Sequence, residues 1–430
     1  STEAGAIVIG PAGENRVRFA LTENDRWRSA GRTGVGAVMG AKRLKALVFH
    51  GDRRRPCHDP ETLSQYARDF LTANRDNPSA KAYKALGTTM VSIMNKAGAF
   101  PSRYWSQGTC EHWERISGET FHREHSVRPR ACAKCFMACG RRARIAHGRR
   151  AGLVIEGPEY ETIYAFGGLC MIEDMGEIAY LNDLCDRLGM DTITAGNLCA
   201  FAIEAVRRGR VEYPIAYGDS EGVAALLKHM AGRIGIGDVL AEGIAVAARA
   251  WGLDDIAVHV KGLEPAGYDP RVLKGMGLAY ATAGRGACHL RTTFYKPELS
   301  GMIDPGAVEG KAELLVEFED RLTLFDSLIL CRFYRDMYDW DALSQVISLT
   351  TGTRLSREAL RQRAVAITTM TRKFNLREGM TANQDRLPNR LHREPLPSGH
   401  GLTEDELERM LVDYYRLRGW DQDGIPPDLV

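Results

Sequence analysis

Three cysteines with the spacing C-x2-C-x3-C are the residues of this chain best suited to chemistry. They are Cys132, Cys135 and Cys139, in the stretch RACAKCFMACGRRAR. A structural zinc site usually combines two C-x2-C halves or adds histidines, and the other cysteines form no second C-x2-C. A [4Fe–4S] cluster binds three closely spaced thiolates and one remote cysteine, which this chain can supply. The spacing favours an iron–sulfur cluster, with a zinc ion and buried cysteines without a metal as the alternatives.

Length, charge and cysteine content exclude several classes of protein. The chain has 430 residues and a formal net charge of +2, so its electrostatics do not point to nucleic acid or an anionic membrane. No apolar run reaches the roughly 20 residues of a membrane span, and the first residues do not resemble a secretory signal. Ten cysteines are too few for a disulfide scaffold of this length, and their clustering indicates metal ligands. We therefore expect a cytoplasmic protein.

The elements that must position these cysteines are mainly helices. Short β-rich runs come first: GAIVIG (Gly5–Gly10), RVRFAL (Arg16–Leu21) and KALVFHG. From Asp59 onward, apolar residues recur at the three- and four-residue spacing of helices, often between recognisable caps. The sequence therefore predicts a mainly α protein with a large multihelical body. We expect a β-rich segment at 1–52, the remnant or C-terminal part of a β domain, and helical domains at 53–255 and 256–430.

Several motifs, in order along the chain, resemble the aldehyde:ferredoxin oxidoreductase family. They are IGPAGENRVRFA, AGRTGVGAVMGAKRLKAL, the cysteine triplet, GPEYET, DRLGMD and DSLILC, and the resemblance runs from about Ala6 to about Asn389. It implies a tungsten or molybdenum enzyme with a bis-pterin cofactor and one [4Fe–4S] cluster. It also implies a small aldehyde or carboxylate substrate, and a ferredoxin-like electron acceptor or an iron–sulfur subunit.

The resemblance implies a fourth cluster ligand far from the triplet. In the family this cysteine closes a D-x-x-G-L-C motif, which places it at Cys331 of DSLILC. The match departs from the motif at Ile329, where the family usually has glycine. The bulkier side chain could shift a cofactor contact there without changing the cysteine.

Two further motifs resemble pterin-binding segments. DRLGMD (Asp186–Asp191) resembles the first and Asp326–Cys331 the second, and a carboxylate can accept two N–H groups of a pterin edge. Taken alone, DRLGMD is a helix end with a glycine cap, and AGRTGVGAVMG is a glycine-rich packing turn. A magnesium ion between the pterin phosphates is an additional candidate. The residues that the resemblance assigns to the cofactor are Arg32, Gly34, Gly36, Asp186, Gly189, Asp191, Asp326 and Leu330.

The resemblance also assigns residues to proton transfer beside the metal. A glutamate of GPEYET is expected there, and we prefer Glu161 to Glu159 because of its separation from Asp186. His289, in the loop GRGACHLRT, resembles the histidine placed by the substrate oxygen. The alternatives are surface carboxylates and a structural histidine.

Family members have a further N-terminal stretch before the IGPAGEN segment, which forms most of a β domain around the cofactor. This chain begins with STEAGAIVIG, and isolated pairs of strands are marginally stable. We therefore expect either a separately encoded β-rich subunit that completes the domain, or a truncated or processed form. The alternative to an enzyme is a non-catalytic helical scaffold or electron relay, which would not need the pterin-facing carboxylates.

Overall fold

The computed structural model describes residues 4–25, 28–53 and 55–427. The N-terminal segment forms a four-stranded antiparallel sheet with strand order β3-β2-β1-β4. Its strands are β1 (Ala4–Val8), β2 (Thr22–Asn24), β3 (Arg28–Ala30) and β4 (Ala46–His50). The longest pairing runs between β1 and the edge strand β4, with Ala6 opposite Val48. The strands predicted in GAIVIG and KALVFHG are therefore confirmed.

The predicted strand in RVRFAL is wrong. Residues 16–21 form an irregular segment whose apolar side chains, Val17, Phe19 and Leu21, are buried. Backbone hydrogen bonds join it to the helical body: Leu21 N donates to Gly189 O at 2.9 Å, and Phe19 O accepts from Asp191 N at 3.2 Å. The alternating pattern of the run reflects burial against these helices, and the isolated β-bridge of the segment, from Ala20 to Met190, is also with the helical body.

A second, three-stranded antiparallel sheet carries the cysteine triplet. Its strands, in the order β5-β6-β7, are β5 (Ser126–Arg130), β6 (Gly140–Arg144) and β7 (Val154–Glu156). Sequence patterns did not reveal this sheet, since its strands are short and rich in arginine. The connection between β5 and β6 is the cysteine loop, residues 131–139.

The other regular elements of the described chain are helices, as predicted. The helices that start before residue 200 are α1 (Pro11–Glu14), α2 (Val35–Ala41), α3 (Pro60–Asn74), α4 (Pro78–Leu86), α5 (Val91–Lys96), α6 (Gly118–Glu124), α7 (Tyr160–Thr162), a π-helix (Ile163–Leu169), α8 (Met175–Leu188) and α9 (Thr192–Arg207). Those that follow are α10 (Ser220–Gly232), α11 (Ile236–Ala241), α12 (Ile244–Trp251), α13 (Lys274–Thr282), α14 (Tyr295–Leu299), α15 (Lys311–Ser327), a 3-10 helix (Arg332–Tyr334), α16 (Trp340–Thr351), α17 (Arg357–Arg377), a 3-10 helix (Ala382–Gln384), α18 (Asn389–Arg393) and α19 (Glu404–Arg418).

Local capping explains where several helices start and stop. Asp59 caps α3 by accepting from Thr62 N, and Thr403 forms a capping box with Glu406 at the start of α19. Gly419 ends α19 in the left-handed region, with φ 67°. These caps confirm the helix boundaries that the sequence indicated.

One large apolar core joins the N-terminal segment to the helical body. It extends from Ala12 and Phe19 through the fully buried α9 residues to Trp420. A second core lies between α15, α16 and α17, and a small third core, around Tyr83 and Met137, lies beneath the cysteine loop. The division at residues 255 and 256 stays a prediction. In the described ranges no helix is both long and apolar enough to cross a membrane.

Candidate redox active site

The β5–β6 hairpin positions the cysteine triplet. Lys134 and Ala138 have positive φ angles of 60° and 47°, so the chain turns sharply between the cysteines. Cys135 N donates to Cys132 O at 3.1 Å, and Met137 is buried in the small core with Tyr83. The buried Met137 therefore anchors the loop to the small core, while Cys132 is exposed to solvent.

The fold brings Cys331 to this loop. The 3-10 helix after Cys331 places the Tyr334 hydroxyl 3.1 Å from Cys135 Sγ. Cys331 is exposed in part, and the partial removal of its thiol from water, with the neighbouring thiols of Cys135 and Cys132, raises its pKa. Burial, followed by the charges of Glu159 and Cys331, raises the pKa of Cys139 to about 12. All four cysteines that the resemblance grouped thus meet at one place.

Within the described residues, no three His, Cys, Asp or Glu side chains stand close enough together to hold one metal ion. In a cubane each thiolate binds a different iron, so the sulfurs stand farther apart than around a zinc ion. A [4Fe–4S] cluster at these four thiols stays a prediction.

Glu161 and His289 form a buried pair at a second place. Glu161 lies in α7, which continues into a π-helix whose seven residues are all buried. Its Oε2 accepts from Gly267 N at 3.0 Å, and its Oε1 lies 3.5 Å from His289 Nε2. Burial raises the pKa of Glu161 to about 7. Burial, with the nearby charges of Arg32, Arg285, Arg332 and Arg335, lowers the pKa of His289 to about 3.

Glu159 faces a different neighbourhood from Glu161. Its carboxylate accepts a hydrogen bond from the Thr88 hydroxyl. Burial raises its pKa, and the charges that act on it come from Arg28, Glu156 and Arg141. Glu159 therefore lies on the side of the cysteine loop, whereas Glu161 lies beside His289.

Arg32 is buried in a network of protein groups. It donates to Asp191 Oδ2 at 3.2 Å and to Glu264 O at 2.7 Å, and its Nη2 lies 3.8 Å from Glu264 Oε2. Asp191 also caps α9 by accepting from Thr194 N. Sequence reasoning missed Glu264, whose pKa burial raises to about 7. A lone glutamate in a loop shows no local signal of such a role.

The glycine-rich loop packs against the N-terminal segment. Gly34 has φ 76°, and a Cβ added there would lie 2.1 Å from Arg18 O. A Cβ at Gly36 would lie 2.2 Å from Leu21 O. Close packing explains glycine at both positions without a bound phosphate, as expected for a glycine-rich packing turn. Phosphate binding by this loop stays a prediction.

The two pterin-like motifs lie in separate surroundings. Asp186 accepts from Asn182 Nδ2 at 2.9 Å, and burial raises its pKa to about 8. Gly189 ends α8 with φ 76°, which is the glycine cap that the sequence alone indicated. Its Cα approaches Gly10 so closely that an added Cβ would lie 2.8 Å from Gly10 N. This contact joins DRLGMD to the β-rich segment.

The second motif is rich in charge. Asp326 forms ion pairs with Arg291 at 2.8 Å and with Arg332 at 2.6 Å. Leu330 packs against the second core, while Ile329 is 89% exposed and has φ 56°. Such a φ favours glycine, so the departure from the family motif coincides with a strained backbone position.

Comparisons with known proteins agree with this architecture. The sequence matches the family "Aldehyde ferredoxin oxidoreductase", its N-terminal domain over residues 1–51 and its domains 2 and 3 over residues 65–429. The tungsten-containing aldehyde ferredoxin oxidoreductase of Pyrococcus furiosus is 36% identical over 97% of this chain and 71% of its own length. The protein of the same name from Thermococcus kodakarensis has the same identity, 36%, and the same coverage, 97% and 71%.

Two other similarities are weaker. The aliphatic sulfonate oxidoreductase, WOR-like subunit, of Pyrococcus furiosus is 28% identical over 100% of this chain and 69% of its own length. The solved active site complex BamBC of benzoyl coenzyme A reductase has a TM-score of 0.79 at 22% identity, covering 98% of this chain and 72% of that one. The latter supports the fold alone. The chain is an oxidoreductase that belongs to the aldehyde ferredoxin oxidoreductase family.

Proposed function

We propose that this chain is the catalytic subunit of a tungsten or molybdenum bis-pterin enzyme that interconverts aldehydes and carboxylic acids. The Glu161–His289 pair carries the proposal, because its two groups are 3.5 Å apart with pKa values of about 7 and about 3. Environments that shift the pKa values of two neighbouring titratable groups in opposite directions are typical of acid–base catalysis. The names of the most similar relatives, tungsten-containing aldehyde ferredoxin oxidoreductases, support the substrate class.

Buried polar atoms around this pair fit a bound cofactor. Glu161 Oε1, Glu264 Oε1 and His289 Nδ1 are buried and form no hydrogen bond with any residue that the structure describes. Native proteins rarely leave such atoms without a partner. A bis-pterin metal centre would supply the oxygen-transfer and two-electron chemistry.

The residues predicted to contact the cofactor differ in how far protein groups already occupy them. Asp186 and Asp326 already accept from protein groups, but a carboxyl group has further hydrogen-bonding positions, so each can still bond to a pterin edge. Arg32 and Asp191 form an ion pair with each other, and their role would be to keep the lining of the site in position. Gly189 and Leu330 would contribute backbone groups, and a magnesium ion between phosphates stays a prediction.

Glu161 and His289 divide the handling of protons. A carboxyl with a pKa of about 7 can release or take up a proton at neutral pH. His289, with a pKa of about 3, stays neutral and can donate a hydrogen bond to a substrate oxygen without adding a positive charge. In the oxidation direction, an aldehyde and water give a carboxylic acid, two protons and two electrons.

Electrons would leave through a [4Fe–4S] cluster bound by Cys132, Cys135, Cys139 and Cys331. Cys132 and Cys331 are exposed, so the cluster would lie at the surface, within reach of a ferredoxin-like acceptor or an iron–sulfur subunit. None of the ten cysteines, which all lie in the described part of the chain, forms a disulfide, which suits a reducing compartment, and we propose the cytoplasm.

A β-rich partner subunit would cover the N-terminal sheet. Every residue of the edge strand β4 is exposed, including Val48 at 64% and Phe49 at 58%. Exposed apolar edges pair with other chains unless they are covered. Co-expression with neighbouring genes should yield a heteromer, and a stable, cofactor-loaded, active preparation of this chain alone would contradict the partner.

Elemental analysis of the purified protein tests the proposed function. Iron together with tungsten or molybdenum supports the enzyme. Iron alone supports the alternative, a non-catalytic electron relay or scaffold. Zinc alone would contradict both.

A further inference from the structure

A row of arginines lies on one face of the β5–β6 hairpin. Side chains alternate along a strand, and Arg128 lies opposite Arg142 in the pairing register, as Ser126 does opposite Arg144. Residues 126, 128 and 130 therefore share a face with residues 140, 142 and 144. We call this surface the arginine face and define it by Arg128, Arg130, Arg142 and Arg144.

Arg130 is ion-paired with Glu156, whereas the other three arginines of the arginine face have no carboxylate partner among the described residues. Arg128 and Arg142 are both exposed and directly opposite each other, an arrangement that destabilises a sheet. Glu156 lies opposite Arg142 on β7, but its ion pairs are with Arg28 at 2.6 Å and Arg130 at 2.9 Å. In the described parts of the chain, no ion pair with a carboxylate involves Arg128, Arg142 or Arg144.

This face borders the proposed cluster. Its two strands lead straight into the cysteine loop, because Arg130 ends β5 and Gly140 begins β6. A Cβ added to Gly140 would lie 3.2 Å from Arg28 Nη2, so a further guanidinium stands beside the end of the loop. The positive charge is thus concentrated next to the exposed Cys132, although the whole chain has a net charge of only +2.

Resting on the proposed function, we propose that the arginine face docks the acidic surface of a protein electron carrier. Electron transfer requires the carrier to approach the cluster closely, and the face adjoins the exposed side of the cysteine loop. Complementary charge would steer the carrier to this place and compensate the repulsion between Arg128 and Arg142. The two electrons of each aldehyde oxidation would reduce two one-electron carriers, one in each encounter.

Charge reversal tests the docking surface. The variant Arg128→Glu/Arg142→Glu and the control Arg210→Glu/Arg249→Glu change the net charge equally. The control residues are both exposed: Arg210 follows the end of α9, and Arg249 lies in the last turn of α12. An acidic ferredoxin and a small neutral dye serve as alternative acceptors. At low ionic strength, we expect the first variant to lower the second-order rate constant with ferredoxin about tenfold or more and to flatten its salt dependence. The rate with the dye and the reduced-cluster EPR signal should match the wild type.

Several outcomes would overturn the inference. One is a ferredoxin rate that falls no further in the first variant than in the control. Another is a variant Arg128→Lys/Arg142→Lys, which keeps the charge, behaving like the charge reversal. If a single-stranded oligonucleotide bound the arginine face as tightly as ferredoxin does and competed with it, a protein electron carrier would be the wrong class of partner. Absence of a cluster or of dye reduction in the wild type would instead contradict the proposed function, and the docking inference with it.

Discussion

Glu161 Oε1 lies 3.5 Å from His289 Nε2, and burial shifts the pKa values of the two groups in opposite directions. Both shifts favour the neutral form, because burial penalises charge. At neutral pH the carboxyl stands near its midpoint while the imidazole carries no charge. The pair therefore suits a division between proton transfer and hydrogen bonding.

We expect Glu161→Gln to lower kcat for aldehyde oxidation by about 10²- to 10⁴-fold, the usual contribution of a general acid or base. His289→Asn should lower kcat as well. The metal and iron contents of both variants should stay near those of the wild type. The measurement is steady-state kinetics with a viologen dye as acceptor.

Glu159→Gln is the matched control, since Glu159 lies two positions away but contacts Thr88 instead of His289. It should keep most of the activity. Full activity of both Glu161→Gln and His289→Asn, or equal losses in Glu159→Gln and Glu161→Gln, would refute the assignment.

Glu161 and His289 should change the stability of the fold with pH in opposite directions. Glu161 changes its pKa from 4.5 to about 7 on folding, so between these values the folded chain holds a proton that the unfolded chain has lost. Its contribution to stability therefore falls as pH rises through that window. His289 changes from 6.5 to about 3, so its contribution rises with pH from about 3 to about 6.5.

Urea unfolding of the variants between pH 5 and pH 7 measures these effects. The free energy of unfolding of Glu161→Gln should increase relative to the wild type as pH rises, by up to about 1.4 kcal/mol per pH unit. That of His289→Asn should decrease relative to the wild type over the lower part of the range. Parallel curves for the wild type and Glu161→Gln would contradict burial of an ionisable carboxyl at this site.

Cys331→Ser should remove or convert the iron–sulfur cluster, because a hydroxyl replaces a thiolate ligand poorly at neutral pH. Cys57→Ser should have no effect, since the Cys57 thiol contacts Leu349 O at 3.6 Å and is not among the proposed ligands. Low-temperature EPR of the reduced protein and iron analysis report the result. An unchanged spectrum in Cys331→Ser would show that the fourth ligand is another residue.

Tyr334→Phe should lower the reduction potential of the cluster. The hydroxyl lies 3.1 Å from Cys135 Sγ, and an O–H donated to a thiolate ligand stabilises the more negative, reduced cluster. A hydrogen bond contributes about 1 kcal/mol, which corresponds to roughly 40 mV for one electron. A redox titration followed by EPR gives the potential.

The control for this shift is Tyr338→Phe. Tyr338 stacks with Phe70 in the same aromatic group, at 4.6 Å between ring centroids, and no hydrogen bond to a cluster cysteine is seen for it among the described residues. Equal shifts in both variants would assign the effect to packing or polarity and not to the hydrogen bond.

Ile329→Gly should stabilise the fold by up to about 1 kcal/mol. A β-branched residue at φ 56° is strained, glycine is not, and an 89% exposed side chain loses little packing when removed. Ile329→Ala retains the Cβ and should show a smaller gain. Destabilisation by glycine, measured by urea unfolding, would indicate that the isoleucine side chain has a partner that stabilises it.

Local features of the sequence determined much of this protein by themselves. The caps of α3 and α19 depend on contacts three residues apart, and the spacing of Cys132, Cys135 and Cys139 restricts the ligand set within one loop. The order of the motifs indicated the family, which the comparisons confirm. These features are readable because each depends on neighbours in the chain.

Tertiary structure decided what depends on distant neighbours. RVRFAL has the composition of a strand but packs on the helices, because the backbone of residues 189–191 and the apolar core satisfy it there. Glu159 and Glu161 are the same residue type two positions apart, and the sequence favoured Glu161 only through its separation from Asp186. At the start of a helix, residues two apart do not face each other, so one carboxylate lies toward the cysteine loop and the other toward His289. Burial by residues far along the chain then shifts the pKa of Glu161 toward neutrality, which no local pattern encodes.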